Sequence, residues 1–186
     1  AVRNDVGVWL REDHTFVRLT GRHVASWLQT QTTNDVKALQ SGQGHANALL
    51  DRKGRLQAHF TLHRYEDEFW LVVEKRQADS LLRQLDAHLF LEDVQMADAG
   101  AEVEQVLVQG PRSVALLAES IGEKAVELLP REPYACAPVE LAEFQVLCFR
   151  VSVTGEDGYL LVTQAGEGRR LLDTLGAFPV NPEAQD

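Results

Sequence analysis

The chain has 186 residues, 45% apolar and 25% charged, which is the composition of a globular protein rather than a disordered one. Its 18 basic and 28 acidic residues leave a net charge of −10, so non-specific binding to a phosphate backbone is excluded as a main activity. No run approaches the ~18 apolar residues of a membrane span, and the acids Asp5, Glu12 and Asp13 predict that the N-terminal segment is not a secretory signal.

In chain order, Val6 to Leu10 and Thr15 to Leu19 read as two short strands around a polar turn, Arg11 to His14. Thr20 then reads as the N-cap of a helix whose apolar face is Val24, Trp27 and Leu28. Thr32 to Asp35 break that helix, and Asn34 or Asp35 caps a short turn through Val36, Ala38 and Leu39. His45 to Leu50 is a strand, and Asp51-Arg52-Lys53-Gly54 is a hairpin turn with glycine at the left-handed position. The next strand has the clearest period-2 pattern. Leu56, Ala58, Phe60 and Leu62 share one face; Arg55, Gln57, His59, Thr61 and His63 share the other. Phe69 to Glu74 follows as a strand. Ala78, Leu81, Leu82, Leu85 and Leu89 mark an amphipathic helix.

In the second half, Val103 to Gln109 is a strand and Pro111 opens a helix carrying Val114, Leu117 and Ala118. A further helical piece covers Glu123 to Leu129. Leu141 to Val153 reads as one long strand, Thr154 to Gly158 as a turn, Tyr159 to Thr163 as a strand, and Glu167 to Leu175 as a last helix. Strand pairs with helices between them predict an α+β fold with mostly antiparallel sheet, and no linker-like composition divides the chain.

Residue chemistry alone assigns little. Cys136 and Cys148 form no C-x-x-C or Cys/His cluster; two reduced thiols are the main reading and a single disulfide the alternative. His59 and His63 lie about 13 Å apart along a strand, too far to share one ion. Their face is either the wall of a ligand cavity or an ordinary solvated or helix-covered polar face. Gly42-Gln43-Gly44 lacks the further glycine and lysine of a phosphate loop, and no Ser/His/Asp set suggests itself. Glu156 and Asp157 sit in a glycine-flanked turn, where a functional role requires a cleft.

Several segments carry a resemblance when taken in order: Val17-Arg18-Leu19-Thr20-Gly21 leading into Trp27 to Val36, then Ala48 to Arg55, Val108 to Ser113, and Thr154 to Tyr159. The set resembles the folate-binding domain shared by the glycine cleavage T protein, an aminomethyltransferase, and the YgfZ-like proteins. It covers nearly the whole chain. The resemblance implies ferredoxin-like α+β units, a single folate-binding-like domain over residues 1–186 that continues in longer family members, and tetrahydrofolate or a related folate as cofactor. It implies folate contacts from Gln57, His59 and Thr61, from Asn34 and Asp35 at the pocket rim, and from Glu156. No catalytic or metal-binding residue is assigned.

The departures select a branch. The aminomethyltransferases carry an Asp where the resemblance places His59, with a second Asp usual at Ala58; Val153 and Leu160 stand where a Tyr and a Glu are usual. An imidazole can hydrogen-bond a pterin or move a proton, but it is not a constant negative charge. Aminomethyl transfer is therefore not expected. The YgfZ-like pattern matches better, although that branch's Lys-Gly-Cys-x-x-Gly-Gln-Glu motif is absent here. The resemblance then implies a tetrahydrofolate-binding accessory protein associated with iron–sulfur cluster assembly or repair and tRNA thiomodification. It would have iron–sulfur proteins as partners, no direct nucleic-acid or membrane binding, and a cytoplasmic location, with the mitochondrial matrix as the alternative. The competing expectations are an aminomethyltransferase and a shortened, non-catalytic relative acting as a structural or protein-binding module.

Overall fold

The computed structural model describes residues 5–121, 125–153 and 155–176. Two compact units emerge: residues 13–100 form one, and residues 1–12 with 101–186 form the other.

The first unit contains β2 (His14–Thr20), α1 (Val24–Gln31), β3 (Gln43–Leu50), β4 (Leu56–Tyr65), β5 (Glu68–Glu74), α2 (Lys75–Asp86) and β6 (Gln95–Asp98), after β1 (Gly7–Leu10), which belongs to the other unit. Its sheet runs β3-β4-β5-β2-β6, with every pair antiparallel. The alternating residues Val17 and Leu19, Phe60 and Leu62, and Leu71 and Val73 meet Val24, Trp27 and Leu28 of α1 and Ala78, Leu81 and Leu85 of α2 in one core. The opposite sheet face carries Phe16, Arg18, Trp70, Thr61 and His63. There Phe16 meets Trp70 edge to face at 6.1 Å, and the Arg18 guanidinium stacks on the same indole at 5.8 Å.

The second unit joins β1 to β7 (Val103–Gln109), α3 (Ser113–Ile121), a 3-10 turn (Ala125–Leu128), β8 (Cys136–Leu141), β9 (Phe144–Val151), β10 (Gly158–Gln164) and α4 (Gly168–Thr174). The sheet order is β1-β7-β10-β9-β8, again all antiparallel. Val106, Val108, Val146, Cys148 and Leu161 pack there against Leu117, Leu171 and Leu172.

The two units share one topology. Each runs strand, helix, three strands, helix, and each has the same order across its sheet; β1 takes in the second the place that β6 takes in the first. The agreement reaches single residues. Gly21 follows β2 and Gly110 follows the equivalent strand β7, at φ of +121° and +128°, a backbone that only glycine adopts without strain. Arg64 stacks over Phe69 at 5.5 Å in one, and Arg150 over Tyr159 at 5.2 Å in the other, both as cross-strand pairs. This is the ferredoxin-like β-α-β-β-α-β pattern with one strand added, and the expected antiparallel α+β architecture is what the chain adopts.

Several local expectations are corrected. Thr20 is not a helix cap but the last residue of β2; His23 stands at the N-cap of α1. The reason is the close packing of Gly21, where an added Cβ would lie 2.1 Å from the Asp93 carbonyl oxygen. Leu141 to Val153 is not one strand. The chain reverses at Ala142-Glu143, with Ala142 at φ of +51° and Leu141 paired with Phe144, and the preceding strand β8 starts at Cys136. Pro138 within β8 is tolerated because β8 is an edge strand. Pro111 lies in the turn before α3, whose first residue is Ser113. The helix expected from Glu123 to Leu129 is a 3-10 turn over Ala125–Leu128, and residues 122–124 lie outside the described residues. Strand β6 gave no sequence signal; it is a short edge strand held by β2.

Cys136 and Cys148 are both free and buried. Cys148 pairs with Ala137, so the neighbouring Cys136 projects to the other face of the sheet and the two thiols cannot meet. Burial pushes the Cys136 thiol up to about 12. Among the described residues no helix is long and apolar enough to cross a membrane.

Candidate functional site

The hairpin of β3 and β4 is the scaffold. Its turn is closed by Asp51, whose Oδ1 accepts from the Lys53 and Arg55 amides at 2.8 and 3.0 Å and whose Oδ2 accepts from Arg55 Nε at 2.7 Å. These amide and guanidinium donors hold the Asp51 carboxyl below the usual carboxylate range. Gly54, at φ of +77°, supplies the left-handed residue.

Strand β4 is longer than its neighbour β5, which pairs with it only from Thr61 to Tyr65. Residues 56–60 therefore extend as a two-stranded ribbon with β3, and the His59 amide donates to Gln77 Oε1 of α2 at 3.5 Å. Alternation places Gln57, His59 and Thr61 together on the face away from the helices. Gln57 and His59 are exposed and Thr61 is half-buried. Across the register from His59, Thr61 and His63 stand Ala48, Ala46 and Gly44, so the β3 half of this face has almost no side-chain bulk. The face is not uniformly wet. His63 is fully buried, and its Nε2 shares a 2.8 Å hydrogen bond with Thr61 Oγ1. Trp70, the cross-strand partner of His63, has a buried indole N–H without a hydrogen-bond partner.

A register shift alters the expected pattern. Leu49 pairs with Ala58 but Leu50 pairs with Leu56, so Gln57 is the extra residue of a bulge. One extra residue reverses the alternation beyond it. Leu56, expected on the core face, instead joins Leu50 on the face of His59, 61% exposed beside Leu50 at 41%. A leucine left in water forgoes roughly 1.5–3 kcal/mol of burial.

Asn34 and Asp35 lie beside the same ribbon. After α1 the chain bridges Thr32 to Leu49, and the segment runs along the outer edge of β3. Asn34 Nδ2 donates to the Ala46 carbonyl at 3.1 Å, and Asn34 Oδ1 accepts from the Asp35 amide at 2.8 Å. Asp35 Oδ1 accepts from the Ala38 amide at 3.3 Å, capping the turn as expected. Since Ala46 pairs with Thr61 and Ala48 with His59, Asn34 sits two strand spacings, about 10 Å, from the β4 polar residues. The structure thus brings Asn34, Asp35, Gln57, His59 and Thr61 to one end of one sheet.

Glu156 belongs to the other unit. It is half-buried in the turn before β10, next to Gly155 at φ of +83° and to Asp157, which ion-pairs with Arg150. The Asp157 carbonyl accepts from the Gly110 amide at 2.9 Å, so this turn is tied to the start of α3. Thr154 lies outside the described residues. Leu160 is fully buried and Val153 is 45% exposed.

Sequence reasoning missed the residue that organises the rim. Asn47 is 2% exposed, and its Oδ1 accepts from the amides of Thr33, Asn34 and Ala48 at 3.0, 3.1 and 2.8 Å. Its Nδ2 donates to Thr32 Oγ1 at 3.0 Å. The available signal was a polar residue between His45 and Leu49 on the inward face of a strand. A separate shallow groove of about 360 Å³, lined by α1 residues including Trp27 and Thr30 and by Leu91 and Glu92, contains none of the expected site residues. Among the described residues no three His, Cys, Asp or Glu side chains are placed to hold a metal ion.

Comparison with known proteins fits this geometry. The family model described as the GCVT N-terminal domain matches residues 1–179. The chain belongs to the GCVT N-terminal domain family. It is 29% identical over 172 residues to an aminomethyltransferase of Shouchella clausii, covering 92% of this chain and 46% of that one. An aminomethyltransferase of Deinococcus deserti is 28% identical over 183 residues, covering 98% and 50%. The chain spans about half the length of the curated relatives it matches. Among solved structures, the glycine cleavage system aminomethyltransferase T of Bartonella henselae superposes with a TM-score of 0.80 at 22% identity, over 94% of this chain and 46% of that one. A chain of the heterotetrameric sarcosine oxidase of Corynebacterium sp. U-96 gives 0.65 at 22% identity, over 95% and 88%. These likenesses show a shared GCVT fold.

Proposed function

We propose that this GCVT-domain chain is a single folate-binding-like domain of an aminomethyltransferase-type protein, and that it holds a reduced folate against the β4 face of Gln57, His59 and Thr61. The supporting observation is the makeup of that face: three polar side chains on β4 beside the near-bare strip of Gly44, Ala46 and Ala48. A flat pterin with donors and acceptors along its edge suits a surface with room on one strand and an amide, an imidazole and a hydroxyl on the other. The rim held by Asn34 and Asp35 borders the same strip.

The folate, when bound, supplies the carrier of the one-carbon group. The chain's own residues do the rest. Gln57 and Thr61 bind and orient by neutral hydrogen bonds. His59 donates or accepts at its ring nitrogens and can move a proton there, but Ala58 is apolar and buried, so this strand offers no carboxylate to balance a cationic centre.

That missing carboxylate favours a second reading, a folate-binding accessory protein of the YgfZ-like type acting in iron–sulfur cluster assembly or repair and tRNA thiomodification. The curated relatives named above favour the first. A cytoplasmic setting suits either, given two free thiols.

Isothermal titration of the chain with tetrahydrofolate tests the common part. The expected result is binding that weakens in Thr61→Val and Gln57→Ala, and strengthens or persists in His59→Asp. No binding by the wild type up to about 1 mM, equivalent to −4.1 kcal/mol, overturns the folate reading. An aminomethyl-transfer assay separates the two branches: turnover supports the first, and folate binding without turnover supports the second.

A further inference from the structure

The shallow groove of about 360 Å³ on α1 contains none of the residues proposed to hold a folate. Along it, the chain from His88 to Asp93 is tied closely to α1 and the turn before it. Trp27 Nε1 donates to the His88 carbonyl at 3.1 Å, the Asp93 amide donates to His23 Nδ1 at 2.8 Å, and Arg22 Nε pairs with Asp93 at 2.7 Å. Glu92 Oε2 accepts from both the Phe90 and the Leu91 amides, at 2.9 and 3.0 Å. This well-held turn nevertheless presents its two apolar side chains to water. Phe90 is 80% exposed, and Leu91, which lines the groove, is 95% exposed. Neighbouring bulky apolar side chains, fixed in place and left uncovered, mark an interaction surface.

The lining sets the chemistry that fits. Ser26 Oγ donates to the His23 carbonyl at 3.0 Å and Thr30 Oγ1 to the Trp27 carbonyl at 2.7 Å, so both hydroxyl hydrogens are spent on backbone and lone pairs remain. Among the described lining residues the fixed charge is the Glu92 carboxylate, held below the usual carboxylate range by the amides of Phe90, of Glu92 itself and of Leu91. Lone pairs and a carboxylate beside the Trp27 ring suit a cation carried on an apolar stem. The eight residues of α1 give the contact about 12 Å of length, roughly two turns of a facing helix. We propose that this groove and the Phe90–Leu91 pair form a docking surface for a basic, amphipathic segment of a partner protein, whose apolar side chains cover Phe90 and Leu91 and whose lysine or arginine reaches Glu92. The net charge of −10 decides against other occupants. A second copy would bring a second −10 and a second Glu92 to the contact, and an anionic membrane surface would repel it. Nothing in this contact depends on folate.

The test is fluorescence anisotropy of a labelled amphipathic helical peptide of leucine and lysine, roughly 14 residues or four turns long, titrated with the full chain. Peptides of the same composition in scrambled order, and of leucine and glutamate in the same order, are run beside it. The wild type should bind the patterned leucine–lysine peptide in preference to both. Phe90→Ser/Leu91→Ser should weaken it by about tenfold or more. Glu92→Gln keeps an oxygen for the two turn amides and so keeps the loop; it should weaken binding by about two- to fivefold and reduce its salt dependence. Leu128→Ser, an exposed leucine of the other unit, should change nothing. All these positions are exposed, and circular-dichroism melts verify the folds. Equal binding of the scrambled peptide, an equal loss in Leu128→Ser, or no binding up to about 1 mM overturns the inference. So does sedimentation of the chain alone as a dimer that Phe90→Ser/Leu91→Ser dissociates, which would make the occupant a second copy. Binding to phosphatidylserine vesicles that the same double variant abolishes would make it a membrane and overturn the inference equally.

Discussion

Replacing Asn47 by alanine isolates the residue on which the rim depends. The Thr33 amide keeps the Ala48 carbonyl at 3.1 Å, and the Ala48 amide keeps Thr33 Oγ1 at 3.2 Å, so neither is orphaned. The Asn34 amide has no such second acceptor, and the Asn47 Nδ2 bond to Thr32 Oγ1 disappears as well. Three hydrogen bonds at ~1 kcal/mol each, counting the one from Thr33 Oγ1 to Asn47 Oδ1 at 3.1 Å, give a destabilisation of about 2–3 kcal/mol, since the exposed Asn34 residue lets water reach its freed amide. The β3–β4 ladder at Asn47–Phe60 uses backbone groups and should survive. Urea denaturation should therefore show a lower midpoint at unchanged slope. Hydrogen exchange should accelerate at the Thr33 and Asn34 amides more than at Phe60. Asn47→Asp keeps the four accepted bonds and should lose less than alanine. A loss below about 0.5 kcal/mol for Asn47→Ala, or equal acceleration at Phe60, would refute the account of Asn47 as the organising acceptor.

Three further outcomes follow from the same structure. Asp35→Ala removes the cap on Ala38 and should cost up to about 1 kcal/mol, less than Asn47→Ala, by the same denaturation measurement; a larger loss contradicts the assigned roles. Gly21→Ala, with its Cβ 2.1 Å from the Asp93 carbonyl, should prevent folding or cost more than about 3 kcal/mol, whereas Gly54→Ala, with open space around it, should cost only the left-handed penalty of about 1–2 kcal/mol, and comparable melts for the two would exclude the close approach at Gly21. Because the folded Asp51 carboxyl lies below its ordinary range, the stability it lends is present above the unfolded value and is lost as pH falls through the folded one; the Lys53 and Arg55 amide shifts in an NMR titration should move with that low midpoint, and a midpoint in the ordinary carboxylate range would contradict the turn geometry.

Much of this protein is legible in the sequence where the cause is local. Period-2 alternation from Ala58 to Leu62 and the Asp51–Gly54 turn determine a hairpin with one buried face, because side-chain direction in a strand follows from position alone. The amphipathic stripe of Ala78, Leu81 and Leu85 determines α2 in the same way. The division of Leu141 to Val153 was illegible because Ala142-Glu143 carries no turn residue; the left-handed Ala142 is imposed by the pairing of Leu141 with Phe144. Strand β6 exists only because β2 offers an unpaired edge.

For the site, the sequence placed Gln57, His59 and Thr61 on one face, and that much needs only alternation. Tertiary structure decided what stands beside them. The register that sets Ala46 and Ala48 opposite Thr61 and His59, the bulge that turns Leu56 outward, and the burial of Asn47 and His63 are consequences of which strand lies next to which. Hydrogen-bond partners separated by many residues cannot be read from a local pattern, because their energy is realised only when the chain has closed the loop between them. The doubled topology is of the same kind: the sequence repeats little beyond Val-x-Leu-x-Gly at Val17–Gly21 and Val-x-Val-x-Gly at Val106–Gly110, yet the sheet order, the two positive-φ glycines and the two arginine–aromatic pairs coincide. Backbone pairing and core volume constrain a fold through many interchangeable apolar residues, so two stretches of different sequence can arrive at one arrangement.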